Sequence, residues 1–415
     1  MASRIQVFEH SSLVIQESYK GVDFKKKHFT ALAKLNELHG DKYFYVRHNS
    51  IKFKQYVGVI RVENLTIEVL PKIDNNIESE AVWQNALVEM LRVTKKLKVQ
   101  KVNQASVSKQ QIHLLDLYFD WFLSEVQALI HQGLIKQYYK ETKQVKALKG
   151  KLEFAGHIRK NIVHKERFCT THQVYAKDHL VHQVLDKALN IISNFTKGKF
   201  LYSKCKSVQL DFPEVAKVHV NATTFDRIKP NRKNAPYKTA LAIARFIILN
   251  FAPNVTKGNE DMLALLFDMN SLWEEYVFVK LKEQETESAF KVDVTDQDSK
   301  YFWKSNYLKP DLVLEFEDET VVIDTKWKDI GDASPSAADL RQMYLYNEYW
   351  NANRSMLLYP SYKTQRGEFH KFNSLTETDS HHSCAIGKIS IFKKDKETLD
   401  EKIGEHIIKL LSTTD

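Results

Sequence analysis

A chain of 415 residues is too long for one hydrophobic core, so two or three domains are expected. Its 43% hydrophobic and 11% aromatic content can fill such cores, and only 12 Gly and 8 Pro argue against long low-complexity stretches. The net charge of +9 suits a polyanionic partner such as nucleic acid without singling one out.

Three widely spaced cysteines, Cys169, Cys205 and Cys384, form no CxxC pair. Neither a zinc ribbon nor a disulfide framework is suggested, and a reducing cytoplasm is the expected setting. The start, MASRIQVFEHSS, has no apolar signal core, and no run of about 18 apolar residues predicts a membrane span.

In chain order, residues 1–77 read as a β-rich domain. Leu65, Ile67 and Val69 alternate with Thr66 and Glu68, after a two-residue turn at Glu63-Asn64. One helix around HFTALAKLNELHG interrupts the strands and closes at Gly40.

Residues 78–255 read as a mostly helical region. Val82, Trp83, Ala86, Leu87, Met90 and Leu91 recur at helical spacing, and a longer helix runs from about Gln111 to His131. Residues 133–154 then predict a protruding β-hairpin whose polar tip is Glu141, Thr142, Lys143 and Gln144, and these with Lys140 are the candidate partner-binding residues. Helices follow at 178–196 and 237–251, the second apolar nearly all round and so expected to be buried. Pro253 and Gly258 mark a boundary, and residues 256–415 read as one α/β domain. The fold class is therefore multidomain α+β.

The chemistry concentrates in Lys309-Pro310-Asp311-LVLEF-EDET-VVIDTKWK. Two short strands joined by the acidic turn Glu317-Asp318-Glu319 would bring Asp311 beside Asp324. The strand period of two puts Asp324 and Lys326 on one side. Two carboxylates suit a hard divalent cation that keeps several waters. A nearby lysine can orient water and stabilise charge on a phosphate. Asp-x-Lys alone is a weak signal, and an ordinary exposed ion pair competes with it. The preceding Pro-Asp strengthens it.

Upstream, Asn270 or Ser271 can cap a helix that carries Glu274 on the face of Val277, Phe278 and Leu281. A carboxylate there needs a partner, and a metal site would provide one. Downstream, Ser334-Pro335 opens a helix with Asp339, Gln342 and Tyr346 on one face. Gln342 and Tyr346 would bond the lysine or DNA phosphates. His179-x-x-His182 lacks the glutamate a zinc hydrolase needs and reads as structural.

The order helix-Glu, strand Pro-Asp, strand Asp-x-Lys, helix Gln-x-x-x-Tyr resembles the PD-(D/E)xK nuclease superfamily. More narrowly, IEVLPKI, LVEMLRVT, LKGKLEFAGHI, FDMNSLWEEYV and the block Pro310–Lys328 resemble the McrC family, the endonuclease subunits of modification-dependent McrBC restriction systems. The resemblance implies a C-terminal PD-(D/E)xK nuclease domain acting on modified double-stranded DNA in a prokaryotic cytoplasm. It implies catalytic roles for Asp311, Asp324, Lys326, Glu274, Gln342 and Tyr346. Asp311, Asp324 and Glu274 would hold Mg²⁺, for which Mn²⁺ can substitute. It also implies an AAA+ GTPase ring of McrB type as partner, with GTP bound by that partner, in keeping with the lack of a G-x-x-x-x-G-K-[ST] loop here. The hairpin 133–154 would enter the ring. A stand-alone DNA-processing nuclease of the same fold, or a non-catalytic adaptor that activates an NTPase, remain alternatives.

Overall fold

The computed structural model describes residues 3–62, 64–73, 79–98, 113–252, 261–287, 291–317, 319–331, 333–373, 381–393, 395 and 397–412. At the start, β1 (Ser3–Phe8) runs parallel to β3 (Leu65–Leu70), which pairs antiparallel with β2 (Tyr56–Val62). Helix α1 (Lys26–Leu38) lies between β1 and β2 in the chain and ends before Gly40, whose φ of +65° needs no Cβ. Val62 pairs with Leu65, so the connection is the two-residue turn expected, although Glu63 itself lies outside the described residues.

Strand β3 lies between β1 and β2 and is buried on both faces, Thr66 and Glu68 included. The buried Glu68 carboxylate accepts from Arg4, Gln6 and Gln84. Helix α2 (Glu80–Val93) buries the expected stripe of Trp83, Ala86, Leu87, Met90 and Leu91.

The chain divides into two compact units. Residues 99–265 make one. Its helix α3 (Leu114–Gln132) stops at Gly133, φ +91°, and the predicted start at Gln111 lies outside the described residues. A long ladder follows. Strand β4 (Gln137–Val145) pairs antiparallel with β6 (Phe168–Ala176), and the short β5 (Lys151–Leu152) adds to the other edge of β6. Helix α4 (Phe154–Asn161) joins β5 to β6.

The predicted hairpin tip is thereby corrected. Lys140, Glu141, Thr142, Lys143 and Gln144 lie inside β4, opposite Gln173, His172, Thr171, Thr170 and Cys169. A polar run without glycine can continue a solvent-exposed strand. The chain turns at Gly150 instead, φ +69°, where a Cβ would strike the backbone of Thr171 and His172.

Helices α5 (Leu180–Thr196), α6 (Leu201–Asp211) and α7 (Lys238–Leu249) complete this unit around α3. Helix α6 was not anticipated, because its weakly patterned sequence LYSKCKSVQLD shows little periodicity. His182 is buried, bonds Tyr237 Oη at 3.1 Å and accompanies His179, so both are structural as expected. The proposed boundary markers Pro253 and Gly258 lie outside the described residues.

The other unit joins residues 1–98 to 266–415, which corrects the expectation of separate first and last domains. Helix α2 belongs to it rather than to the helical middle. The ties are specific. Met269 N donates to Gln55 O at 2.9 Å, Trp83 meets Phe392 edge-on at 5.2 Å, and Lys96 pairs with Glu275 at 2.8 Å.

Here α8 (Met269–Glu287) precedes a mixed sheet. Its order is β7 (Val292–Asp296), β10 (Leu312–Phe316), β11 (Thr320–Thr325), β12 (Arg354–Ser361) and β13 (Ser383–Ser390). The first two pairings are antiparallel and the next two parallel. A small hairpin, β8 (Lys300–Trp303) and β9 (Asn306–Leu308), stands between β7 and β10 in the chain. Helix α9 (Ala337–Trp350) is the crossover from β11 to β12, and α10 (Ile403–Ser412) packs on α8. Two caps differ from expectation. Asp268 Oδ1 accepts from Asn270 N and Ser271 N at the start of α8, and Ser336, not Ser334, caps α9. Among the described residues, no helix is long and apolar enough to cross a membrane.

Helix α10 approaches α8 at Gly404, where any Cβ would strike the Lys280 carbonyl. Backbone cannot swing aside as a side chain can. Gly404→Ala is expected to cost about 1–3 kcal/mol by overpacking and to lower Tm by several degrees. An unchanged or raised Tm in thermal melts would contradict this packing.

Candidate active site

The site follows from the register of one hairpin. Leu312 pairs with Ile323 and Val313 with Val322, so Asp311 and Asp324 flank the same end of the β10–β11 ladder. Alternation places both acids on the sheet face of Val313 and Val322, the face covered by Met343, Tyr346 and Trp350 of α9.

Asp311 Oδ2 accepts from the backbone N of Thr325 at 2.7 Å and from its hydroxyl at 2.9 Å. Asp324 is 2% exposed. Its Oδ2 lies 2.6 Å from Lys326 Nζ, and its Oδ1 accepts from Gln342 Nε2 at 3.3 Å. Gln342 also donates to Tyr346 Oη at 2.6 Å, and that hydroxyl donates to the Lys309 carbonyl at 2.8 Å. Gln342, expected to bond the lysine or DNA phosphates, here holds the Asp324 carboxylate. Asp339 sits 3.9 Å from Lys326 Nζ and 3.4 Å from Lys328 Nζ.

The electrostatics are those of crowded charge. Burial, then the charge of Asp311, push the Asp324 carboxyl up to about 6, against the pull of Lys326. Burial pulls the Lys326 amine down, but Asp324, Asp339 and Asp311 together outweigh it and hold the amine above its ordinary range. Burial raises Tyr346 to about 12. Glu274 reaches this field from α8. Burial raises it, Gln297 donates to its Oε1 at 2.9 Å, and the charge of Asp311 raises it further. Lys309 Nζ holds that same Gln297 at 2.7 Å.

These groups suit a hard cation. A buried carboxylate and a second one beside it repel each other unless positive charge stands between them, and oxygen donors fit Mg²⁺. Lys326 supplies part of that charge. Among the described residues no three His, Cys, Asp or Glu side chains stand together as a ready ligand set. Asp311 and Asp324 are the two carboxylates at this strand end, and Glu274, expected to stand with them as a third, is instead held by Gln297.

Residues 51–360 match the family model described as McrBC 5-methylcytosine restriction system component. The chain belongs to the McrBC family, as a subunit of McrC type. One relative is the Escherichia coli K12 "Type IV methyl-directed restriction enzyme EcoKMcrBC", 20% identical over 296 residues, which is 66% of this chain and 85% of the relative. The fold resembles a chain of a Thermococcus gammatolerans assembly described as McrB AAA+ hexamers with bound McrC. There the TM-score is 0.69 at 19% identity, covering 99% of each chain. A second chain, from the cryo-EM structure of the Thermococcus gammatolerans McrBC complex, gives 0.51 at 19% identity over 69% of this chain and 90% of that one.

In this McrBC-family chain, sequence reasoning missed the brace behind the site. Trp327 directly follows Lys326, and its Nε1 donates to Glu9 Oε1 at 2.7 Å. Trp273, next to Glu274, packs on the other side at 5.5 Å between ring centroids. Lys72 N also donates to Glu9 Oε1 at 3.1 Å. An N-terminal carboxylate 318 residues away thus fixes the strand end that presents Lys326. Only the tryptophans gave any sequence signal, and nothing marked Glu9.

Burial pushes Glu9 from 4.5 up to about 7 against the bonds from Trp327 and Lys72. An acid with a raised folded pKa binds its proton more tightly in the folded state. Its stabilisation is therefore full below about 4.5 and fades as pH rises through 7. Glu9→Gln keeps an acceptor for Trp327 and cannot ionise. It is expected to melt above the wild type at pH 8, by on the order of 2 kcal/mol, with the gap closing toward pH 5. Equal gaps at both pH values would mean Glu9 does not titrate in this way.

Proposed function

We propose that this chain is the Mg²⁺-dependent endonuclease subunit of a modification-dependent restriction complex, with a PD-(D/E)xK nuclease site in the unit that joins residues 1–98 to 266–415. The observation that supports it most is Asp324. It is buried, pushed toward neutrality by Asp311, ion-paired to Lys326 and tethered by Gln342 at a strand end. Such an arrangement costs stability and is retained where it has a task.

Asp311 and Asp324 would hold the ion, with Glu274 at the rim. When bound, Mg²⁺, or Mn²⁺ in its place, supplies charge neutralisation at the phosphate and makes water acidic. Lys326, kept protonated by three surrounding aspartates, donates to a phosphate oxygen or to the attacking water. Gln342 and Tyr346 fix the Asp324 carboxylate through the Lys309 carbonyl, so the acid cannot turn away.

The partner we propose is an AAA+ GTPase ring of McrB type, which binds the GTP. The similar Thermococcus chain is described as part of an assembly of McrB AAA+ hexamers with bound McrC. The β4–β6 ladder provides a docking arm. Its shaft carries Lys140, Glu141, Thr142, Lys143 and Gln144. Its far end exposes Leu148, Phe154, Ile158, Ile162 and Val163, with Phe154 at 69% and Val163 at 80%. An apolar cluster so exposed suits a protein partner.

Cleavage of methylated duplex DNA should be weak with the chain alone and strong with the cognate GTPase, GTP and Mg²⁺, while Ca²⁺ should not support it. Asp324→Asn should lower the cut rate roughly a thousandfold and leave complex assembly intact. Wild-type rates in that variant would remove Asp324 from the chemistry. Phe154→Asp with Ile158→Asp should abolish stimulation of partner GTPase without lowering Tm, whereas intact stimulation would place docking elsewhere.

A further inference from the structure

The β8–β9 hairpin carries aromatic rings that are more than half exposed among the described residues. Tyr301 is 69% exposed, Trp303 59% and Tyr307 52%. Tyr301 and Tyr307 are cross-strand partners with ring centroids 4.5 Å apart, tilted by 35°. At the turn, Lys304 takes φ +51° and lays its ammonium 4.6 Å over the Trp303 ring. The base is rigid. Phe302 packs edge-on against Tyr349 at 5.9 Å, Lys300 Nζ donates to the Tyr349 carbonyl at 2.7 Å, and Asp298 accepts from Trp350 Nε1 at 2.8 Å. Tyr349 and Trp350 end the same helix that supplies Gln342 and Tyr346. Beyond β9 only Lys309 and Pro310 separate Leu308 from Asp311.

Large exposed rings on a braced hairpin are costly without an occupant. Lysines beside them favour a polyanion over an apolar protein surface. Aromatic faces with adjacent cations are how proteins hold bases that are not already stacked in a duplex. The short chain path from Leu308 to Asp311 ties the hairpin to the end of β10 that carries Asp311.

We propose that the β8–β9 hairpin is a nucleic-acid platform on which Tyr301, Trp303 and Tyr307 stack unpaired bases next to the scissile phosphate, with Lys304 on the backbone. The cleaved DNA is then locally unpaired where it meets the site. This rests on the nuclease reading for its purpose, but binding can be tested without cleavage.

The full chain would be titrated in EDTA with a fluorescein-labelled single strand of about 15 nucleotides and with the matching duplex. Tyr301→Ala with Trp303→Ala should weaken single-strand binding about tenfold and duplex binding much less. Trp303→Phe should keep most of the affinity and lose the tryptophan quenching that accompanies wild-type binding. Lys304→Gln should flatten the salt dependence by close to one ion. Unchanged single-strand affinity in the double variant would overturn the proposal. So would a change confined to self-association or GTPase stimulation, which would mean a protein covers the rings. Asp324→Asn should not weaken single-strand binding, because it removes a negative charge and leaves the hairpin rings in place. Loss of cleavage there with an unaltered hairpin variant would sink the platform and leave the nuclease standing. The reverse result would do the opposite.

Discussion

One pairing register sets the geometry on which the rest of this molecule converges. With Leu312 opposite Ile323, two aspartates meet at one end of a buried two-strand ladder, and the next residue on that face after Asp324 is a lysine. A shift by one residue would turn each acid to the other side of the sheet and leave an unpaired carboxylate in the core. The apolar pairs Val313–Val322 and Leu314–Val321 exclude that slip, because they bury the sheet face. Hydrophobic packing, which is indifferent to catalysis, thus positions charged groups that would repel if left alone.

That repulsion is contained by neighbours from every layer of the unit. Helix α9 contributes Gln342 and Tyr346, α8 contributes Glu274 and Trp273, and β1 is followed by Glu9, which grips Trp327. The first residues of the chain are therefore part of the framework around the candidate site. This accounts for a compact unit assembled from both ends of the sequence, with residues 99–265 forming the other unit. That second unit keeps its own apolar surface on an extended ladder.

Much of this was legible in the sequence because it was local. The alternation around Leu65–Leu70, the helical stripe of Trp83 to Leu91 and the Asp-x-Lys strand end each lie within one period of their element. Glycines 40 and 133 ended helices where expected. What failed was non-local or unpatterned. The polar run Glu141–Gln144 resembled a turn, but Gly150 alone could take the conformation the turn needs. Cap assignment slipped to Asp268 and Ser336 because several good cap residues stand in a row. Glu9 carries no local signal at all, since its meaning arises only from contact with a residue at the other end of the chain. The exposed rings at Tyr301–Tyr307 drew no reading from the sequence, because exposure of an aromatic residue leaves no local pattern.

The central claim is that Asp311 and Asp324 jointly hold a divalent cation beside Lys326. The most direct measurement is electron paramagnetic resonance of Mn²⁺ titrated into the purified chain without DNA or partner. The wild type should remove Mn²⁺ from the free-ion signal at a defined site, and Asp311→Asn and Asp324→Asn should each abolish that binding. Lys326→Gln should tighten it, because the competing ammonium is gone. Equal Mn²⁺ binding by the wild type and both aspartate variants would contradict the account.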